Sequence, residues 1–136
     1  MDKAEHQKYE HLISAHGQAL RYLVVDDSIM ARKTLIAILE TFGGEVVAEA
    51  ADGVQAIYAY LKTWPDIVFL DITMPNMEGM EAAAKMIATD SAAQIIMVSA
   101  ESHQEKIMTA LQIGARGFVR KPIQPQALYE AIKSCL

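Results

Sequence analysis

The chain has 136 residues, 52% of them hydrophobic, which is the size of one ordinary domain with enough apolar material for a core. The net charge is −5, and the nearest thing to a basic patch (Arg116, Arg120 and Lys121) is short, so direct nucleic-acid binding is not expected. Short apolar runs, no secretory signal and a single cysteine argue against membrane insertion, secretion and a disulfide, and they predict a soluble, cytoplasmic protein.

From residue 21 onward, short β-branched runs alternate with longer stretches of helical period, which predicts βα units around a parallel sheet. The first strand is predicted over residues 22–25, and Asp26 and Asp27 follow it directly. A helix comes next and is ended by two glycines. Its buried face is predicted from apolar residues at helical spacing: Leu35, Ile38, Leu39 and Phe42.

A short second strand is expected over residues 46–48, near an edge of the sheet. The second helix carries an apolar stripe of Val54, Ile57 and Leu61. It ends before Pro65, because the residue preceding a proline disfavours the helical conformation.

Residues 67–70 are apolar at every position, which predicts a central strand covered on both faces. This strand leads directly into Asp71. After a turn, Met80, Ala84 and Ile87 mark the third helix.

The fourth strand is predicted over residues 95–98 and ends at Ser99. Ser102 and Glu105 have the spacing of a capping box that opens the fourth helix. That helix is predicted to continue through Ile107, Leu111 and Gly114.

The fifth strand covers residues 117–119 and reaches Lys121, and Pro125 opens the last helix. The apolar side of that helix is predicted to hold Leu128, Ile132 and Leu136. Residues 1–20 have mixed charge, and we interpret them as an N-terminal extension, helical or a flexible arm, in front of a domain over residues 21–136.

Polar residues follow directly on four of the predicted strands: Asp26 and Asp27, Asp71, Ser99, and Lys121. In a parallel sheet the carboxyl ends of the strands share one edge, so these residues are expected in one pocket. Clustered carboxylates repel one another unless a proton or a cation intervenes, and carboxylate oxygens suit Mg²⁺. A lysine and a hydroxyl beside them can hold phosphoryl oxygens. The pattern therefore predicts Mg²⁺-assisted transfer of a phosphoryl group onto an aspartate.

Four stretches, LVVDDS, DITMPNMEG, VSAE and GFVRKP, make the chain resemble the receiver domain of two-component response regulators, within them the single-domain chemotaxis type. The resemblance covers residues 21–136. It implies a doubly wound (βα)5 flavodoxin-like fold in the α/β class, with a parallel five-stranded sheet of strand order 2-1-3-4-5.

The resemblance also implies roles for the acidic residues and their neighbours. Asp71 is expected to be the phosphoacceptor. Asp27 and Asp71 are expected to bind Mg²⁺ directly, Asp26 through water, and Thr73 through its backbone carbonyl. Thr73 and Glu101 occupy positions that tune the lifetime of the phosphoryl group in the family.

Three further residues receive roles from the same resemblance. Lys121 is expected to pair with the phosphoryl oxygens, and its bond to Pro122 to be cis. Ser99 is expected to hydrogen-bond the phosphoryl group and to move toward it. Phe118 takes the position of the switch aromatic, which turns inward when Ser99 moves.

The implied function is phosphorylation by a sensor histidine kinase, followed by a change in the face built from the fourth helix, fifth strand and fifth helix. That face would control binding of a downstream effector, with a flagellar motor or chemotaxis component as the candidate. No turnover of an independent substrate is expected.

Three alternatives stay open from the sequence. The chain is a fragment of a longer multi-domain regulator, a receiver-like module that binds partners without phosphorylation, or an aspartyl-phosphate phosphatase of the haloacid dehalogenase type. The last needs a second aspartate two residues after the nucleophile, where this chain has Thr73.

Overall fold

The structure is a computed structural model, and it describes residues 9–100 and 104–136. Its five strands form one parallel sheet in the order β2-β1-β3-β4-β5, which confirms the predicted fold. The strands are β1 (Arg21–Val25), β2 (Glu45–Ala50), β3 (Ile67–Leu70), β4 (Ile95–Ser99) and β5 (Gly117–Arg120).

A helix follows each strand, as the alternating pattern predicts. The helices are α1 (Ile29–Glu40), α2 (Gly53–Thr63), α3 (Gly79–Thr89), α4 (Gln104–Ile113) and α5 (Pro125–Lys133). Ser102, the predicted cap of α4, lies outside the described residues. The edge position predicted for β2 is confirmed, and β2 is longer than predicted because it pairs with β1 as far as Ala50.

The strand register brings the carboxyl ends of β1 and β3 to the same level. Val25 is paired with Leu70, and the Asp71 N–H donates to the Val25 carbonyl at 3.0 Å. On the other side of β1, the Asp26 N–H donates to the Ala50 carbonyl at 3.0 Å. The residues that follow the two strands therefore start from neighbouring positions.

The core has two layers, one on each face of the sheet. One layer contains Leu23 and Val25 of β1 and packs under α2, α3 and α4. The other contains Tyr22 and Val24 and packs under α1 and α5. Every residue of β3 is buried, as expected for a central parallel strand.

The predicted stripe of α2 is wrong at two of its three residues, whereas Ile57 is partly buried and packs against the core as predicted. Val54 and Leu61 are 54% and 44% exposed, whereas Gly53, Ala56 and Tyr60 face the core. Gly53 lies against the loop that follows β3, where a side chain would collide with Met77, and Tyr60 fills the core side of the helix.

The buried faces of α3 and α4 are also displaced from the predicted stripes, whereas Leu128 and Ile132 of α5 are buried as predicted. The buried positions of α3 are Gly79, Ala82, Ala83 and Met86. Of the predicted residues, Met80 and Ile87 are partly buried against the same core and Ala84 is exposed. In the remaining predicted stripes, Leu111 and Leu136 are exposed. On α1 the prediction is close, since Leu35, Leu39 and Phe42 are buried and Ile38 is partly buried.

Residues 9–20 precede the sheet and contain no helix. A bridge between Ile13 and Ala19 closes a turn, and Leu12 and Leu20 are buried in the core layer under α1 and α5. The Leu12 N–H donates to the Phe42 carbonyl at 3.0 Å. The described part of the extension is thus neither the helix nor the loose arm expected from the sequence, because its apolar side chains pack on the domain.

The division of the chain at residue 20 stays a prediction. Among residues 9–100 and 104–136, no helix has the length and apolar character needed to span a bilayer.

Candidate functional site

Three aspartates meet at the carboxyl edge of the sheet. Asp26 and Asp71 are buried and Asp27 is exposed, and one carboxylate oxygen from each lies within 4.8 Å of the others. Oxygen-only donors of this kind suit a hard divalent cation that keeps part of its water shell. The arrangement can therefore bind a metal ion.

Asp26 is held at both of its carboxylate oxygens. Oδ1 accepts the Ser28 N–H at 2.9 Å, and Oδ2 accepts from the Lys121 ammonium at 2.6 Å. Ser28 itself caps α1 by accepting the Ala31 N–H, so the start of that helix fixes the loop. The local sequence Asp-Asp-Ser thus orders the first part of the site.

Asp71 is buried close to the like charges of the other two aspartates. Burial raises the pKa of its carboxyl from 3.8 to about 6; Lys121 opposes this rise, and the charges of Asp26 and Asp27 add to it. A raised pKa means that the site accommodates the ionised carboxylate poorly on its own. A divalent cation among the three oxygens would offset the repulsion, so the residues present fit a metal ion.

Lys121 links the acidic cluster to β4 and β5. Its ammonium lies 2.6 Å from Asp26 Oδ2 and 3.9 Å from Asp71 Oδ2. Its backbone N–H donates to the Ser99 carbonyl at 3.0 Å, and the Lys121–Pro122 peptide is cis, as expected. The Lys121 ammonium is therefore placed to bind an anionic group attached to Asp71.

Ser99 and Phe118 lie on neighbouring strands. Ser99 is buried at the end of β4 and pairs in register with Arg120, and Phe118 pairs with Met97. Phe118 is partly buried against the core layer under α2, α3 and α4. It is therefore neither fully buried nor fully exposed.

The loop between β3 and α3 is tied to the start of α2. Asn76 donates to Asp52 Oδ2 at 2.8 Å, and Asp52 Oδ1 accepts the Gln55 N–H at 2.8 Å as the cap of α2. These hydrogen bonds hold the pKa of Asp52 below its usual range. The Gly53 N–H adds a bond of 3.2 Å to the Met77 carbonyl.

Two backbone features explain the residue types in that loop. Asn76 has φ of 69°, a left-handed conformation that asparagine adopts more readily than most residues. A side chain at Gly79 would collide with the Asp71 carbonyl oxygen. These residues therefore allow the sharp turn and close approach that the loop needs between β3 and α3, and Thr73 in the same loop is exposed.

The structure brings most of the predicted site residues to one edge of the sheet, and Glu101 lies outside the described residues. The sequence interpretation missed three residues near the site: Asp52 and Asn76, which tie the loop after β3 to α2, and Arg32, whose Nη1 donates to the Asp26 carbonyl at 2.6 Å. Asp52 precedes a glycine and a helical segment, so its role as a helix cap was open to prediction from the sequence. Arg32 has no comparable signal.

The family model described as the response regulator receiver domain matches residues 22–133. The chain belongs to this family. Function as a phosphoacceptor response regulator fits both the match and the acidic cluster at the carboxyl edge of the sheet.

Relatives of known name agree with this assignment. Chemotaxis protein CheY of Bacillus subtilis is 43% identical over 118 residues, which cover 87% of this chain and 98% of that protein. Chemotaxis protein CheY of Listeria monocytogenes is 42% identical over 114 residues, covering 84% of this chain and 96% of that protein. The chain is therefore similar to single-domain chemotaxis regulators over most of its length.

A solved structure gives the same result. One chain of the CheX–CheY–BeF3–Mg²⁺ complex from Borrelia burgdorferi superposes with a TM-score of 0.86 at 33% identity. The match covers 90% of this chain and 93% of that chain.

Proposed function

We propose that this protein takes a phosphoryl group from the phosphohistidine of a sensor kinase onto Asp71, with Mg²⁺ as cofactor. The observation that carries the proposal is the convergence of three carboxylates and the Lys121 ammonium at the carboxyl edge of the sheet. Asp27 and Asp71 would bind the ion directly, Asp26 through water, and Thr73 through its backbone carbonyl.

Each residue has a distinct part in the transfer. A carboxylate oxygen of Asp71 attacks phosphorus, and the bond between phosphorus and the kinase histidine breaks. Lys121 moves from Asp26 toward the transferred group and pairs with its oxygens. Bound Mg²⁺ supplies positive charge for the phosphoryl oxygens during transfer.

The consequence of phosphorylation is a switch at the face formed by α4, β5 and α5. A phosphoryl group adds nearly two negative charges and three acceptor oxygens. Ser99 moves to hydrogen-bond it, and the partly buried Phe118 ring turns into the space that Ser99 leaves. The changed face then binds a downstream effector, and the similarity to proteins named CheY supports a flagellar motor or chemotaxis component.

Thr73 and Glu101 come two positions after Asp71 and Ser99 in the sequence, and their proposed role is to set how long the phosphoryl group survives. Turnover of an independent substrate is not part of this function. Steady release of phosphate from small phosphomonoesters would contradict that statement and would favour the phosphatase alternative.

The proposed acceptor can be tested with a labelled phosphoramidate in the presence of Mg²⁺. Wild type should become labelled, and Asp71→Asn should lose the label. Asp90→Asn is the matched control, since Asp90 lies at the end of α3 and an asparagine oxygen can still accept from the Tyr60 hydroxyl. Equal labelling of Asp71→Asn and wild type would refute the proposal.

The proposed switch can be tested with the phosphoryl mimic beryllofluoride. Addition of Mg²⁺ and beryllofluoride should shift the backbone amide resonances of α4, β5 and α5 in wild type and leave those of Asp71→Asn unchanged. Unchanged wild-type spectra would contradict a phosphorylation-dependent switch.

A further inference from the structure

Arg32 lies beside the acidic cluster and is not one of its members. In the first turn of α1, its Nη1 donates to the Asp26 carbonyl at 2.6 Å and its Nε donates to Glu49 Oε1 at 2.9 Å. Side chains in a helix lean toward its N-terminus, so Arg32 reaches back over the loop that follows β1. The arginine side chain is only 15% exposed, whereas that of Glu49 is 47% exposed.

The contact with Arg32 completes the hydrogen bonding of Asp26. The N–H of Asp26 donates to Ala50, and its two carboxylate oxygens accept from Ser28 and Lys121. The carbonyl was the remaining polar group, and Arg32 binds it. All four polar groups of this buried residue are therefore held.

That carbonyl belongs to the peptide group that joins Asp26 to Asp27. A bond to it fixes the plane of the peptide and hence the direction in which the chain enters Asp27. Asp27 is the exposed member of the cluster, so the backbone is what restrains its position. Arg32 thus acts on Asp27 through the peptide rather than through its side chain.

We propose that Arg32 is a positioning residue for the metal site, which holds the Asp26–Asp27 peptide so that both carboxylates face one ion. The proposal rests on the function proposed above. Glu49 orients the guanidinium from β2 and balances its charge. Partners of this indirect kind commonly change metal affinity by about 10- to 100-fold when they are removed.

The charge of Arg32 has the opposite effect to its positioning role. A cation beside the cluster repels Mg²⁺, so loss of the charge alone would strengthen metal binding. Loss of the hydrogen bond would weaken it. Lysine keeps the charge but is a point donor that cannot reproduce the planar guanidinium bridging two acceptors.

Calorimetric titration with Mg²⁺ separates the two effects. Arg32→Lys should raise the Kd about tenfold, and Arg32→Met should raise it by less because the repulsive charge is also lost. Lys33→Met is the matched control: Lys33 is the neighbouring exposed cation on α1, and this change should leave the Kd within about twofold of wild type. Urea unfolding in a chelator checks that each variant is folded, and Arg32→Gln replaces any variant that is not.

An unchanged Kd for Arg32→Lys, or a lower Kd for Arg32→Met, would overturn the positioning role while leaving the proposed function intact. A wild type that fails to bind Mg²⁺ at millimolar concentration would overturn both. The two failures are therefore distinguishable in the same set of titrations.

Discussion

The carboxyl end of the sheet and the aromatic cluster of the core layer under α1 and α5 differ in their effect on stability. At the carboxyl end, Asp26 and Asp71 are buried with like charges close to them. At the other side of the domain, Tyr9 packs against Phe42 and Tyr129 with ring centroids 4.8 and 4.7 Å apart. The carboxyl end holds like charges close together, and a bound cation would offset their repulsion, whereas the packed rings of the aromatic cluster contribute stability.

Among the changes that test this difference, Phe42→Ala is expected to have the largest effect on the free energy of unfolding. Phe42 is fully buried, and its truncation should lower the free energy of unfolding by about 3–5 kcal/mol in urea denaturation. The Mg²⁺ affinity of the folded variant should not change. Val54→Ala, on the exposed side of α2, is the control and should change stability by less than about 0.5 kcal/mol.

Unlike Phe42→Ala, the change Asp71→Asn should raise the free energy of unfolding. Because the folded pKa of Asp71 is raised from 3.8 to about 6, its contribution to stability is full below 3.8 and is lost as pH rises through 6. Without metal at pH 7.5, the asparagine variant should be more stable than wild type by about 1–2 kcal/mol. The difference should shrink as pH falls toward 4, and a variant less stable at pH 7.5 would contradict the repulsion at the carboxyl end of the sheet.

The same pKa predicts how Mg²⁺ binding depends on pH. A proton on Asp71 competes with the ion, so the affinity should be constant well above pH 6 and fall about tenfold for each pH unit below it. Titrations between pH 5 and pH 8 measure this directly. An affinity that does not change across this range would show that Asp71 does not need to ionise for binding.

The smallest effect concerns one hydrogen bond in the aromatic region. The Tyr129 hydroxyl donates to the Glu10 carbonyl at 2.8 Å, and Tyr129→Phe should cost about 1 kcal/mol of stability. Tyr58→Phe, at an exposed position, should have no measurable effect. Equal effects of the two changes would argue against ordered packing of residues 9–20 on α5.

The carboxyl end of the sheet could be predicted from the sequence because its polar residues immediately follow apolar strands. An aspartate directly after a fully apolar strand, as Asp71 is, can be recognised from one sequence alone. Helix faces were harder, since Ala56 and Ala82 are buried while the larger Val54 is exposed. Close packing depends on the geometry of neighbouring elements, which side-chain size in the sequence does not show.

The contacts that surround the site and the N-terminal segment were the hardest features to predict from the sequence. Arg32 and Glu49 are ordinary charged residues in the sequence, and only the fold brings them together and places Arg32 against the Asp26 carbonyl. Residues 9–20 form no helix, and yet Leu12 and Leu20 are buried, which local sequence does not specify. Long-range packing, rather than local propensity, determines these features.

The most direct test of the shared metal site is nuclear magnetic resonance with Mn²⁺ in place of Mg²⁺. Paramagnetic broadening should be greatest at the amides of residues 26, 27 and 71, and it should spare residues 9–20 at the far side of the domain. The effect should disappear when excess Mg²⁺ is added. Broadening centred elsewhere, such as on the glutamates of β2, would contradict a common ion held by the three aspartates.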